Sequence, residues 1–107
     1  MTAEVKRLSV NEVMERCQAN PNLLLLDVRT DEEWEERHIP GATLIPMHNI
    51  VRRLSDLDVD RETIVVCEHG VRSENVAIYL ATKARFMNIS TMSGGLSVWH
   101  GPTVAGE

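Results

Sequence analysis

The fold is decided by the stretch TIVVCEHGVRS, residues 63–73, which joins an unbroken apolar run to the start of a helical pattern. The run Ile64-Val65-Val66 suits a central strand that helices cover on both faces of a sheet. The residues after Ser73 repeat apolar positions at helical spacing, as expected of a helix lying on that sheet. This apolar face comprises Val76, Ala77, Leu80, Ala81 and Ala84.

The same alternation of apolar runs and helical patterns extends along the whole chain. Predicted strands are Lys6–Leu8, Leu23–Asp27, Thr43–Ile45, Thr63–Val66 and Ile89–Met92, and predicted helices are Val10–Gln18, Asp31–Arg37 and Ser73–Ala84. The first two helices are preceded by Ser9-x-x-Glu12 and Thr30-x-x-Glu33, the pattern of a capping box. Strands that alternate with helices predict an α/β fold with a central, mostly parallel sheet of about five strands and helices on both faces.

Length and composition limit the classes of function. A chain of 107 residues, 43% hydrophobic and 25% charged, predicts one soluble domain over residues 1–107, with a loose tail from about Pro102. No apolar run approaches the ~20 residues of a membrane span. The net charge of −5 without a basic block argues against nucleic-acid and membrane partners. Without a recognisable secretion signal, we expect a cytoplasmic protein whose Cys17 and Cys67 are both reduced, Cys17 having only a packing role.

Cys67 is the candidate nucleophile. It follows the strand of residues 63–66, at the edge of a parallel sheet where ligands bind. The short loop after it should curl so that successive N–H groups point inward around an anion. Gly70 gives conformational freedom, Arg72 a permanent positive charge, and the helix near Ser73 the positive end of its dipole. These groups favour a thiolate over a thiol, so the loop predicts a reactive cysteine.

Three ordered motifs carry a resemblance to a known family. The loop C-E-H-G-V-R-S resembles the active-site loop of the rhodanese-like sulfurtransferases, commonly C-x-x-G-x-R-S. The segment Asp27-Val28-Arg29, Glu33-Trp34 and His38-Ile39-Pro40-Gly41-Ala42 resembles that family's D-x-R…E-[aromatic]…G-H-I-P-G-A. Gly94-Gly95-Leu96 with Trp99 resembles its G-G-x-x-x-W ending. The likeness spans nearly the whole chain and implies a rhodanese-like domain.

The resemblance implies a sulfurtransferase in which Cys67 takes a sulfane sulfur from a donor such as thiosulfate, becomes a persulfide and passes the sulfur on. The implied partners are a small sulfur-donor anion and a thiol or cyanide acceptor, with a protein donor or acceptor as an alternative. The scheme needs no metal and no organic cofactor. The substrate-binding residues would be Glu68, His69, Gly70, Val71, Arg72 and Ser73, with Asp27 and Arg29 bordering the pocket. We expect the Glu68 carboxylate to repel an anionic donor. The alternative is that Glu68 points into solvent or pairs with a nearby base such as Arg72.

Two positions depart from the family pattern. Arg37 stands where the family usually has Gly before the His, and the spacer after Trp99 is compressed to His100-Gly101-Pro102, which argues against a regular last helix. His38 is expected to serve the turn geometry rather than catalysis.

Two other functions stay open. Phosphatases and arsenate reductases of related fold use a C-x5-R loop, whereas this loop is C-x4-R and forms a smaller ring of N–H groups. A sulfur-carrier or protein-interaction module would keep the cysteine but take its sulfur from another protein.

Overall fold

The computed structural model describes residues 4–106, which contain one sheet of five strands and three α-helices. The strands are β1 (Val5–Leu8), β2 (Leu24–Asp27), β3 (Thr43–Leu44), β4 (Thr63–Val66) and β5 (Ile89–Met92). The helices are α1 (Val10–Ala19), α2 (Asp31–Glu36) and α3 (Val71–Lys83), with 3₁₀ turns at Met47–Asn49, Leu54–Asp56 and Gly95–Val98. Every element predicted from the sequence is therefore present, and its bounds differ by at most two residues.

The sheet is entirely parallel, in the order β1-β5-β4-β2-β3. Every residue of β2, β4 and β5 is buried, as the unbroken apolar runs predict. Alternate side chains of these strands enter separate cores on the two faces. Leu26 contributes to the core that includes Leu80 of α3, whereas Leu25 contributes to the core that includes Val13 of α1. The predicted α/β class, with helices on both faces, is confirmed.

The register places the carboxyl ends of two central strands side by side. Asp27, the last residue of β2, is paired with Val66, the last residue of β4. The Val28 N–H then donates to the Val66 carbonyl at 3.1 Å. Because both strands end at the same level, the residues that follow them, Arg29 and Cys67, emerge at one edge of the sheet.

Helices α1 and α2 begin with the predicted capping boxes, whereas α3 begins earlier than predicted. Ser9 and Thr30 form complete capping boxes with Glu12 and Glu33. Helix α3 begins at Val71, earlier than the predicted Ser73. Gly70 has a φ of 95°, a left-handed conformation that turns the chain directly into the helix.

The predicted tail pairs its backbone with the segment at the end of α2. Val104 and His38 exchange two backbone hydrogen bonds, 2.8 and 2.9 Å long, in an isolated antiparallel bridge. The Gly106 N–H donates to the Glu35 carbonyl at 2.8 Å. Backbone pairing of this kind has no local side-chain signature, and it fixes residues 104–106 beside α2. Among residues 4–106, no helix is long and apolar enough to cross a membrane.

Candidate active site

Cys67 lies directly beyond β4, and only 1% of its surface is exposed. Its Sγ accepts hydrogen bonds from the backbone N–H groups of Gly70 at 3.0 Å and Ser73 at 3.2 Å. The positive φ of Gly70 aims its N–H at the sulfur, and Ser73 contributes an N–H from the first turn of α3. The loop thus places two backbone donors on the sulfur.

Side-chain hydrogen bonds hold the loop in this conformation. The Ser73 hydroxyl donates to the Gly70 carbonyl at 3.2 Å and shares a 2.7 Å hydrogen bond with the buried Thr91 hydroxyl. Thr91 belongs to β5, so the loop after β4 is fastened to the neighbouring strand.

The Gly94-Gly95 turn supports the loop from behind. The Leu96 N–H donates to the Cys67 carbonyl and the Ser97 N–H donates to the Glu68 carbonyl, both at 2.9 Å. Gly95 has a φ of 67°, and a Cβ atom there would collide with the backbone of Cys67 and Glu68. Two motifs that are distant in the sequence therefore form one backbone unit around the nucleophile.

Arg72 is paired with an acidic side chain instead of being free for an anion. Its two terminal nitrogens donate to the two carboxylate oxygens of Glu33, each at 2.8 Å. These hydrogen bonds, opposed by desolvation and assisted by the Thr30 backbone N–H, lower the pKa of Glu33 to about 2. The same pair raises the pKa of Arg72. Glu33 therefore both caps the start of α2 and holds Arg72 beside the Cys67 loop.

The negative charge of Glu68 is likewise paired with arginine side chains. Its carboxylate contacts Arg29 at 3.2 Å and Arg37 at 3.4 Å, and 25% of its side chain is exposed. Arg29 is buried and also holds Asp27 through three of its hydrogen bonds, the shortest at 2.9 Å. Two guanidinium groups from more than 30 residues away in the sequence thus oppose the charge of Glu68. The expected repulsion of an anionic donor stays a prediction.

The other candidate residues have separate places. His69, Gly70 and Val71 line a cleft on one side of the loop, where 68% of Val71 is exposed. His38 is buried, stacks on Trp34 at a centroid distance of 3.6 Å and contacts the Trp34 carbonyl through Nδ1. Its partners are structural, as the sequence predicts. Cys17 lies across the sheet in the α1 core, and burial, with a smaller contribution from Glu62, raises the pKa of its thiol.

Two members of the site are missing from the sequence prediction. The sequence predicts only a capping role and a family motif for Glu33, and for Arg37 only a departure from the family pattern. The signal for Glu33 is its place in the Glu33-Trp34 motif beside the predicted pocket. For Arg37 the sole signal is that a long cationic side chain replaces Gly.

Replacing Glu33 with Gln is expected to lower the free energy of unfolding at pH 7 by about 1 to 2 kcal/mol more than the control Glu32→Gln. Glu32 is the adjacent exposed acid of the same helix. Folding lowers the pKa of Glu33 from 4.5 to about 2. The ionised carboxylate therefore stabilises the folded state at pH values above the pKa that Glu33 has in the unfolded chain. This stabilisation is lost as the pH falls through the folded value.

The difference in stability between wild type and Glu33→Gln should therefore shrink between about pH 5 and pH 2. Urea unfolding at several pH values measures it. A difference that stays constant over this range would show that the ionised pair with Arg72 does not stabilise the fold.

The comparisons with known proteins agree with this geometry. Residues 9–102 match the family described as the rhodanese-like domain, and the chain belongs to that family. It is 38% identical to YtwF of Bacillus subtilis over 100 residues, which cover 94% of this chain and 95% of that protein. It is 34% identical to the thiosulfate sulfurtransferase GlpE of Shewanella oneidensis over 95 residues, covering 89% of this chain and 92% of that protein.

A solved structure shows the same architecture. The crystal structure of a rhodanese-like domain protein from Staphylococcus aureus superposes with a TM-score of 0.80 at 32% identity, covering 90% of this chain and 92% of that one. The family membership that the three sequence motifs imply is therefore confirmed, together with its fold.

Proposed function

We propose that this protein is a sulfurtransferase that carries a sulfane sulfur as a persulfide on Cys67. The observation that carries the proposal is the pair of backbone N–H groups, from Gly70 and Ser73, that converge on Sγ. They can stabilise the thiolate before transfer and a terminal persulfide anion after it. The relatives named as sulfurtransferases support the same assignment.

With thiosulfate as donor, the reaction has two balanced steps. The Cys67 thiolate attacks the outer sulfur, the new S–S bond forms, and the S–S bond of thiosulfate breaks so that sulfite leaves with its electron pair. Cyanide or a thiolate then attacks the outer sulfur of the persulfide and restores the Cys67 thiolate. With cyanide the second product is thiocyanate. Neither step requires an external oxidant or reductant.

The spacing of the loop favours this reaction over phosphate chemistry. With four residues between Cys67 and Arg72, two N–H groups approach one sulfur atom, and Arg72 is engaged by Glu33. A tetrahedral oxyanion needs a wider ring of donors and a free guanidinium. Phosphatase and arsenate reductase activity are therefore the disfavoured alternatives.

The direct test is intact-mass analysis of the reduced protein after incubation with thiosulfate, with Cys67→Ser as control. We expect the wild type to gain one sulfur atom and to lose it on addition of cyanide. A parallel incubation with a cysteine desulfurase and cysteine tests a protein donor. Sulfur on a residue other than Cys67, or none from either source, would contradict the proposal, whereas loading by the desulfurase alone would favour a carrier module.

A further inference from the structure

Three arginines surround the Cys67 loop, and two of them hold carboxylates through short hydrogen bonds. Buried Arg29 donates from all three of its nitrogens, to Asp27, to Glu68 and to two backbone carbonyls. Arg72 donates both terminal nitrogens to Glu33. A substrate anion could bind either group only by displacing short, charge-assisted hydrogen bonds.

Arg37 differs from both. Its side chain is 39% exposed, and one terminal nitrogen makes both of its contacts, with the Leu96 carbonyl at 3.0 Å and the Glu68 carboxylate at 3.4 Å. Within residues 4–106, its Nε and other terminal nitrogen donate to no protein acceptor. The guanidinium borders an open cleft that is also lined by Arg29, Glu33, Glu36 and Glu68.

Hydrogen bonds connect Arg37 to the Cys67 loop through Leu96. The Arg37 guanidinium holds the carbonyl of Leu96, and the N–H of Leu96 holds the carbonyl of Cys67. Its own carbonyl accepts from buried Arg29 at 2.8 Å, which fixes the start of its side chain. Arg37 is therefore a partly exposed cation, and Leu96 connects it to the Cys67 loop. Within residues 4–106, some of its N–H groups have no protein acceptor.

We propose that Arg37 binds the anionic end of the sulfur donor and so determines donor specificity, an inference that rests on the proposed function. A sulfonate presents several oxygens, which match the unused Nε and terminal N–H groups of a guanidinium. The 3.4 Å contact with Glu68 is long for a charge-assisted hydrogen bond, so a dianion competes for Arg37 at little cost. Glu68 remains compensated by Arg29 while the donor is bound.

Steady-state kinetics of Arg37→Ala with thiosulfate and cyanide test this role, with Arg53→Ala as the matched control. Arg53 pairs with Asp56 on an exposed turn, so its removal changes the net charge equally. We expect Arg37→Ala to raise KM for thiosulfate about tenfold at low salt, with kcat within about twofold, and the effect to shrink at high salt. Arg37→Lys should raise KM less, because it keeps the charge without the planar fork.

The double variant Arg37→Ala/Glu68→Gln separates binding from simple neutralisation of Glu68. If Arg37 contacts the donor, the double variant keeps a KM at least about fivefold above that of Glu68→Gln alone. Equal KM values for those two proteins, or equal values for Arg37→Ala and Arg53→Ala, would overturn the proposal. A wild type that acquires sulfur from a cysteine desulfurase but not from thiosulfate would likewise overturn the role of Arg37. A wild type that acquires sulfur from neither source would instead refute the proposed function, so the two failures are distinguishable.

Discussion

Cys67→Ser is expected to reduce thiosulfate:cyanide sulfur transfer at least ~1000-fold, to the background of the assay, because a serine hydroxyl is not ionised and forms no persulfide. The fold should survive. Serine has nearly the same volume, and its oxygen can accept the hydrogen bonds that the Gly70 and Ser73 N–H groups give to sulfur. We expect the free energy of unfolding to change by less than about 2 kcal/mol, the cost of a buried hydroxyl that keeps partners.

Cys17→Ser is the matched control for this variant. Cys17 is the other free cysteine, half-buried on α1, and its raised thiol pKa makes it a poor nucleophile at neutral pH. It should keep sulfur-transfer activity within about twofold of the wild type. Substantial turnover by Cys67→Ser, or a comparable loss in Cys17→Ser, would remove Cys67 from the mechanism.

Gly95→Ala should destabilise the protein by about 3 to 5 kcal/mol and abolish activity in the fraction that still folds. The alanine Cβ would collide with the carbonyl of Cys67 and the backbone of Glu68, which are held by the N–H groups of Leu96 and Ser97. Relief of the collision must move the loop, and with it the donors on Sγ. Urea unfolding and thiosulfate:cyanide turnover measure the two effects.

Gly41→Ala separates this collision from backbone strain. Gly41 also has a positive φ, 86°, but a Cβ there would meet nothing within 4 Å. It should therefore cost only the strain of a left-handed alanine, about 1 to 2 kcal/mol, and leave turnover nearly unchanged. If the two variants lost similar stability and both kept turnover, the Gly94-Gly95 turn would not be a support of the active-site loop.

The fold was predictable because its signals are local. The apolar run of β4 has no polar break, and the capping boxes at Ser9 and Thr30 mark the helices α1 and α2. The early start of α3 depends on the left-handed conformation of Gly70, which the sequence permits but does not require. Cys67 was predictable for the same reason, since its strand, loop and helix are contiguous.

The ion pairs of the site were not predictable. Arg72 pairs with Glu33 and Arg37 with Glu68, across sequence separations of 39 and 31 residues. The pairs join α2 and the residue after it to α3 and to the loop after β4, so they depend on how these separate segments are placed in the fold. These partners oppose the charge of Glu68, so its repulsion of an anionic donor stays a prediction.

The two hydrogen bonds from Leu96 and Ser97 to the carbonyls of Cys67 and Glu68 have a consequence for protein engineering. These hydrogen bonds hold the loop from outside it. A library that lengthens or shortens residues 68–72 alone therefore moves the carbonyls of the loop away from the N–H groups of Leu96 and Ser97. New loop lengths must be selected together with new sequences at residues 94–97. The Cys67 loop and the Gly94-Gly95 turn, about 20 residues apart in the sequence, are thus one structural unit that recombination has to exchange together.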